Sequence, residues 1–77
     1  MSIQVRFFAS LREQLGQGGC EIPAAQAATV QEVWEVATQG QALPQNILSA
    51  LNMEYVALDH PVADGDEVAY FPPVTGG

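Results

Sequence analysis

The stretch "SIQVRFFA", Ser2 to Ala9, decides the fold. Ile3, Val5 and Phe7 fall on one side of an extended chain, with Gln4, Arg6 and Phe8 on the other. Strict alternation of this kind marks a β-strand with one face in a core and one in solvent. Working outward, Ser10 and Glu13 read as a capping box, S-x-x-E, opening a short helix that carries Leu11 and Leu15 and is broken by Gly16, Gly18 and Gly19. "CEIP" is a second short strand, stopped by Pro23.

A second capping box, Thr29 to Glu32, leads Val30, Val33, Trp34 and Ala37 at helical spacing, so a main helix is expected from Val30 to near Gly40. Pro44 begins a turn or a short helix through Leu48. "SALNM" and "YVAL" are short strands with a tight connection at Asn52 to Glu54. Met53 is not the glycine that the tightest hairpin prefers, so the turn type stays open. Asp64-Gly65 supplies another turn, and "EVAYF" is the last strand, ended by Pro72 and Pro73. This order predicts an α+β domain: a mixed sheet of four to five strands with one main helix across one face. A right-handed crossover sets the last strand parallel to the first. The division expected is a folded unit over 1–71 and an extended C-terminal tail over 72–77.

Composition narrows the function. The 77 residues make one domain, and 48% of them are hydrophobic, which argues against disorder. Arg6 and Arg12 are the sole strong bases, there is no lysine, and the net charge is −7. Phosphate backbones repel such a surface, so nucleic-acid binding is not expected, while a basic protein cleft would attract it. No apolar run approaches the length of a membrane span and no secretory signal is present. Cys20 has no partner for a disulfide, and a soluble cytoplasmic protein is the expectation.

Strand parity also singles out a surface. Phe8 shares a side with Arg6, and Phe71 shares one with Glu67. If the first and last strands are neighbours, Phe8 and Phe71 sit together on an exposed face at the root of the tail, with Tyr55 a weaker third candidate. Adjacent exposed aromatics point to docking. Cover by a loop or the short helix is the competing reading.

The tail, Pro72, Pro73, Val74, Thr75, Gly76 and Gly77, can reach about 20 Å when extended. The prolines lower the entropy lost on insertion elsewhere. Val74 and Thr75 can be gripped by side chain, and the two glycines can pass a channel too narrow for a β-carbon. The terminal carboxylate is a poor electrophile until it is converted to an acyl-adenylate. Sulfide attack would then leave a thiocarboxylate on Gly77. A flexible end without chemistry is the usual reading of a bare glycine pair.

The segments "VRFFASLRE" (5–13) and "DHPVADGDEVAYFPPVTGG" (59–77), together with the length, resemble the MoaD family of ubiquitin-like β-grasp sulfur carriers, the small subunits of molybdopterin synthase. The resemblance implies a β-grasp fold and a non-catalytic subunit of a heterotetrameric sulfurtransferase. It implies activation of Gly77 by a MoeB-like adenylating enzyme, which uses the ATP; the chain itself holds no cofactor. It also implies insertion of the loaded tail into a MoaE-like large subunit, where sulfur passes to cyclic pyranopterin monophosphate in molybdenum cofactor biosynthesis. Carried over by position, Gly77 bears sulfur, Gly76 is its slim neighbour, and Phe8, Arg12, Tyr55 and Phe71 fall at the interface. A ubiquitin-like modifier conjugated through Gly77, or a carrier for thiamine or tRNA thiolation, uses the same tail.

The remaining reactive residues carry less. Cys20 lacks a neighbour that would lower its pKa, so a small strand residue is favoured over a persulfide carrier. His60 stands alone in a turn. Asp64, Asp66 and Glu67 lack the spacing of a calcium loop, and Trp34 on the helical face is core. No catalytic centre is expected on the chain itself.

Overall fold

In the computed structural model, which describes residues 1–72, the chain forms a five-stranded mixed sheet and two helices. Strand β1 runs over Ser2–Phe7, helix α1 over Ala9–Leu15 and β2 over Gly19–Pro23. Helix α2 spans Val30–Ala37, β3 Leu48–Leu51, β4 Glu54–Val56 and β5 Glu67–Phe71. The order across the sheet is β2-β1-β5-β3-β4. The terminal strands lie side by side and parallel, with Val5 opposite Val68 and Phe7 opposite Tyr70, as the crossover expectation required.

Alternation in β1 has the expected consequence. Ile3, Val5 and Phe7 are buried and join Val68 and Tyr70 of β5 and Val30, Val33 and Trp34 of α2 in one core. Phe7, Trp34 and Tyr70 form its aromatic centre. The Trp34 ring meets Phe7 edge-on at 5.7 Å and Tyr70 at 5.1 Å, and its indole N–H donates to the Gln41 carbonyl. These are favoured aromatic geometries, worth about 1 kcal/mol each beyond area burial. The second capping box forms as read: the Thr29 hydroxyl accepts from the Glu32 N–H at 3.2 Å, while the Glu32 carboxylate reaches back to the Ala28 N–H. The helix it opens is shorter than expected, closing at Thr38 instead of near Gly40.

The first capping box does not form. Helix α1 starts two residues earlier than a Ser10 cap would place it, at Ala9, with Phe8 as its N-cap and no side-chain cap bond. Phe8 is still held by the sheet, donating its N–H to the Tyr70 carbonyl, and the chain then turns through a left-handed Ala9 at φ 54°. Ser10 therefore lies inside the helix, where its hydroxyl cannot cap. Residues Pro44 to Leu48 form a turn at Gln45-Asn46 and no helix. Gly19 is required sterically, because a β-carbon there would clash with the Val5 carbonyl oxygen.

Tyr70 gives the core a pH dependence. Its phenol is fully buried, donates to the Val30 carbonyl, and is pushed well above the ordinary tyrosine range by burial. The folded state therefore keeps a proton that the unfolded chain releases above about pH 10, so this contribution is complete below that pH and declines progressively as pH rises from there toward the higher value of the folded state. Urea midpoints of the wild-type protein are expected to fall steeply from about pH 9.5 to 11. Tyr70→Phe should flatten that fall while costing about 1 kcal/mol at neutral pH through the lost hydrogen bond. An unchanged slope in the variant would rule out Tyr70 as the source.

Candidate functional site

Among the described residues no element covers the sheet face opposite α2, and the register builds a site on it. Arg6 pairs with Ala69, Ala69 with Ala50, and Ala50 with Tyr55, so one transverse row crosses four strands. Its two central members are alanines. Their small side chains sink the middle of the face, leaving a groove of about 470 Å³. Phe8, Phe71, Tyr55 and Met53 stand around this floor, with Arg6 and Glu67 at one end.

The aromatic cluster is continuous. Phe71 lies between the other two rings, 6.4 Å from Phe8 and 5.6 Å from Tyr55, both edge-on. Phe8 is 46% exposed and Tyr55 74% exposed, so neither is covered by a loop or by α1. Parity explains the arrangement. Each of these residues occupies the strand side opposite the core set, and the parallel β1–β5 pairing brings Phe8 and Phe71 together. Pro72, the last described residue, follows Phe71 directly.

Electrostatics at the groove are modest. Arg6 Nε and a Glu67 carboxylate oxygen are 2.6 Å apart, but both side chains are substantially exposed, so the pair contributes less than about 1 kcal/mol. It does neutralise the one cation on the groove and leaves an apolar centre. The pair was not anticipated from sequence. Its signal was available in the shared parity of Arg6 with Phe8 and of Glu67 with Phe71.

Of the residues expected to contact a partner, Phe8, Tyr55 and Phe71 are brought together here, with Pro72 at their edge. Arg12 is exposed on α1 and is not a lining residue of the groove; its side chain lies beside Gly18. Pro73, Val74, Thr75, Gly76 and Gly77 lie outside the described residues. Met53 also lines the groove, and local sequence carries no signal for that beyond its poor fit to a tight turn.

Other candidates have structural explanations. Cys20 is partly buried in β2 opposite Val5, and burial pushes its thiol up, away from the reactive thiolate. His60 is exposed in a turn and serves through its backbone, accepting from the Val30 N–H. Asp66 is engaged by the Ala63 N–H and the Asn52 amide. Among the described residues no group of His, Cys, Asp or Glu could hold a metal, and no helix is long and apolar enough to cross a membrane.

With known proteins for comparison, residues 5–77 match the ThiS family. The chain is 42% identical to the molybdopterin synthase sulfur carrier subunit of Escherichia coli K12, across 97% of this chain and 99% of that protein. The fold is similar to that of SAMP1, a small archaeal modifier protein from Haloferax volcanii, with a TM-score of 0.77 and 31% identity over the whole of both chains. It is also similar to a chain in the complex of subunits 1 and 2 of molybdopterin-converting factor from Helicobacter pylori, with a TM-score of 0.65 and 27% identity over the whole of both chains.

Proposed function

This chain belongs to the ThiS family, and from that membership we propose that it is the sulfur-carrier subunit of a molybdopterin synthase, a subunit without a catalytic centre of its own. The observation that carries the reading is the full-length similarity to a sulfur carrier subunit of that enzyme. The aromatic groove supplies what such a subunit needs, a docking face adjoining the root of its terminal segment.

The chemistry belongs to Gly77 and to partner proteins. A MoeB-like enzyme transfers adenylate from ATP to the Gly77 carboxylate, releasing pyrophosphate. A sulfide-level sulfur then attacks the acyl carbon, adenylate leaves, and a thiocarboxylate remains. Docked on the large subunit, the thiocarboxylate sulfur passes to cyclic pyranopterin monophosphate, and water restores the carboxylate. Gly76, Thr75, Val74 and Pro73 form the stem that enters the large subunit. Phe8, Tyr55 and Phe71 seat the domain so that the stem aligns. A net charge of −7 favours encounter with a basic surface on either partner.

The direct test is intact-mass spectrometry after incubation with ATP, a sulfide source and the adenylating enzyme. One oxygen of the terminal carboxyl should be replaced by sulfur, localised to Gly77 by fragmentation. Quantitative recovery of unmodified chain from a mixture that loads a known carrier would sink the proposal.

The likeness to SAMP1 favours one second reading, conjugation of Gly77 to lysines of other proteins. Both readings share the adenylate. They separate on whether covalent adducts survive reducing denaturation. The chain has no lysine, so within it only the amino terminus offers an amine to the acyl group.

A further inference from the structure

The β3–β4 hairpin is closed by two residues, because Leu51 faces Glu54 across the ladder. Those residues, Asn52 and Met53, both have left-handed backbone, at φ 50° and 74°. That is the pattern of a type I′ turn, in which asparagine suits the first position and glycine is the default at the second. Asn52 is tied down on three sides. Its amide donates to Asp66 at 3.0 Å, its side-chain oxygen accepts from the Glu67 N–H at 2.9 Å, and its own N–H donates to the Glu67 carbonyl at 2.8 Å. The turn is therefore fixed, and Met53 must accept its conformation.

A β-carbon in that region costs about 1 kcal/mol relative to glycine. Met53 recovers nothing in the free chain, since it is 92% exposed. It also lines the groove that holds Phe8, Tyr55 and Phe71. Strained backbone carrying an unburied apolar side chain, on a face already suited to docking, is the free-state signature of a contact completed by a partner. A thioether is unbranched and polarizable, and it packs well against aromatic rings.

We infer that Met53 is a further anchor of the docking face, seated in an apolar, aromatic-lined recess of the large synthase subunit, where it helps determine which large subunit this carrier fits. The inference rests on the reading of the groove given above, and the controls separate the two. Full-length carrier is titrated calorimetrically onto the large subunit of the same organism. Met53→Gly should melt no lower than wild type yet bind about tenfold more weakly, whereas Met53→Leu should stay within about threefold. Phe71→Ala, in the same series, should weaken binding by at least about tenfold. Wild-type affinity in Met53→Gly beside weakened Phe71→Ala overturns the role of Met53 and leaves the groove standing. Wild-type affinity in both overturns the groove as well. Should Met53→Gly fold poorly, Met53→Asn, which also tolerates left-handed backbone, replaces it with the same expected loss.

Discussion

Deleting Gly77 is expected to abolish sulfur transfer while leaving thermal unfolding unchanged. The two halves of this expectation have separate causes. The last strand, β5, ends at Phe71, opposite Leu48, and the core set of Ile3, Val5, Phe7, Trp34, Val68 and Tyr70 lies wholly before it. Loss of residue 77 removes none of them. Transfer, by contrast, depends on where the acyl carbon stands when the domain is seated. Removing one residue retracts the terminus by about 3.5 Å, and a displacement of only about 1 Å at a reacting centre can cost 10²-fold in rate. The truncated chain still ends in glycine, so it tests reach and position, not the chemical nature of the end group. Single-turnover transfer from carrier loaded to the same extent provides the measurement, with calorimetric melting as the control for folding. Transfer at wild-type rate from the truncated chain would mean that the terminal position is not set by docking on the groove.

The same parity that assigned the core also assigned the groove, which is why both were legible at once. In β1 the buried set is Ile3, Val5 and Phe7, so Arg6 and Phe8 must lie opposite; in β5 the buried Val68 and Tyr70 force Glu67, Ala69 and Phe71 outward. What alternation could not show was the order of strands, and so which outward residues meet. The meeting of Phe8 with Phe71 needed the parallel pairing of the chain's two ends, and a long helical crossover made that pairing the simplest topology.

Where local reading failed, a distant contact had decided the matter. Two S/T-x-x-E signals occur, and only Thr29 caps. Ahead of Ser10, the sheet fixes Phe8 in the cap position: Phe8 bonds to Tyr70, sixty-odd residues away in sequence, and its carbonyl accepts from the Leu11 N–H. The helix then begins before the serine can act. The hairpin follows the same logic. Met53 argues locally against a type I′ turn, but Asn52 is fixed by Asp66 and Glu67 from a different part of the chain. Tertiary hydrogen bonds outweighed a conformational cost of about 1 kcal/mol. The alanine floor was invisible for a related reason. Ala50 and Ala69 are unremarkable singly, and become a depression only when the register sets them side by side.

The largest effect on the fold is expected from Trp34→Ala. A chain this short buries a smaller fraction of its surface than an average domain, and its total stability is on the order of 5 kcal/mol. Trp34 is 1% exposed and is the residue through which α2 grips the sheet, touching both Phe7 and Tyr70. Removing such a side chain typically costs about 3–5 kcal/mol, the lost transfer energy plus the cavity left behind. The variant should therefore lie near its own unfolding midpoint at 25 °C, while Trp34→Phe, which keeps a ring but loses the indole N–H bond to Gln41, should retain a cooperative transition. Far-UV circular dichroism during urea titration reads both, since tryptophan fluorescence is lost with the residue. Docking should fail together with folding in Trp34→Ala, because Tyr70 packs on Trp34 and is the chain neighbour of Phe71 at the centre of the groove. A loss under about 1 kcal/mol would show that α2 is held chiefly by Val30 and Val33 instead.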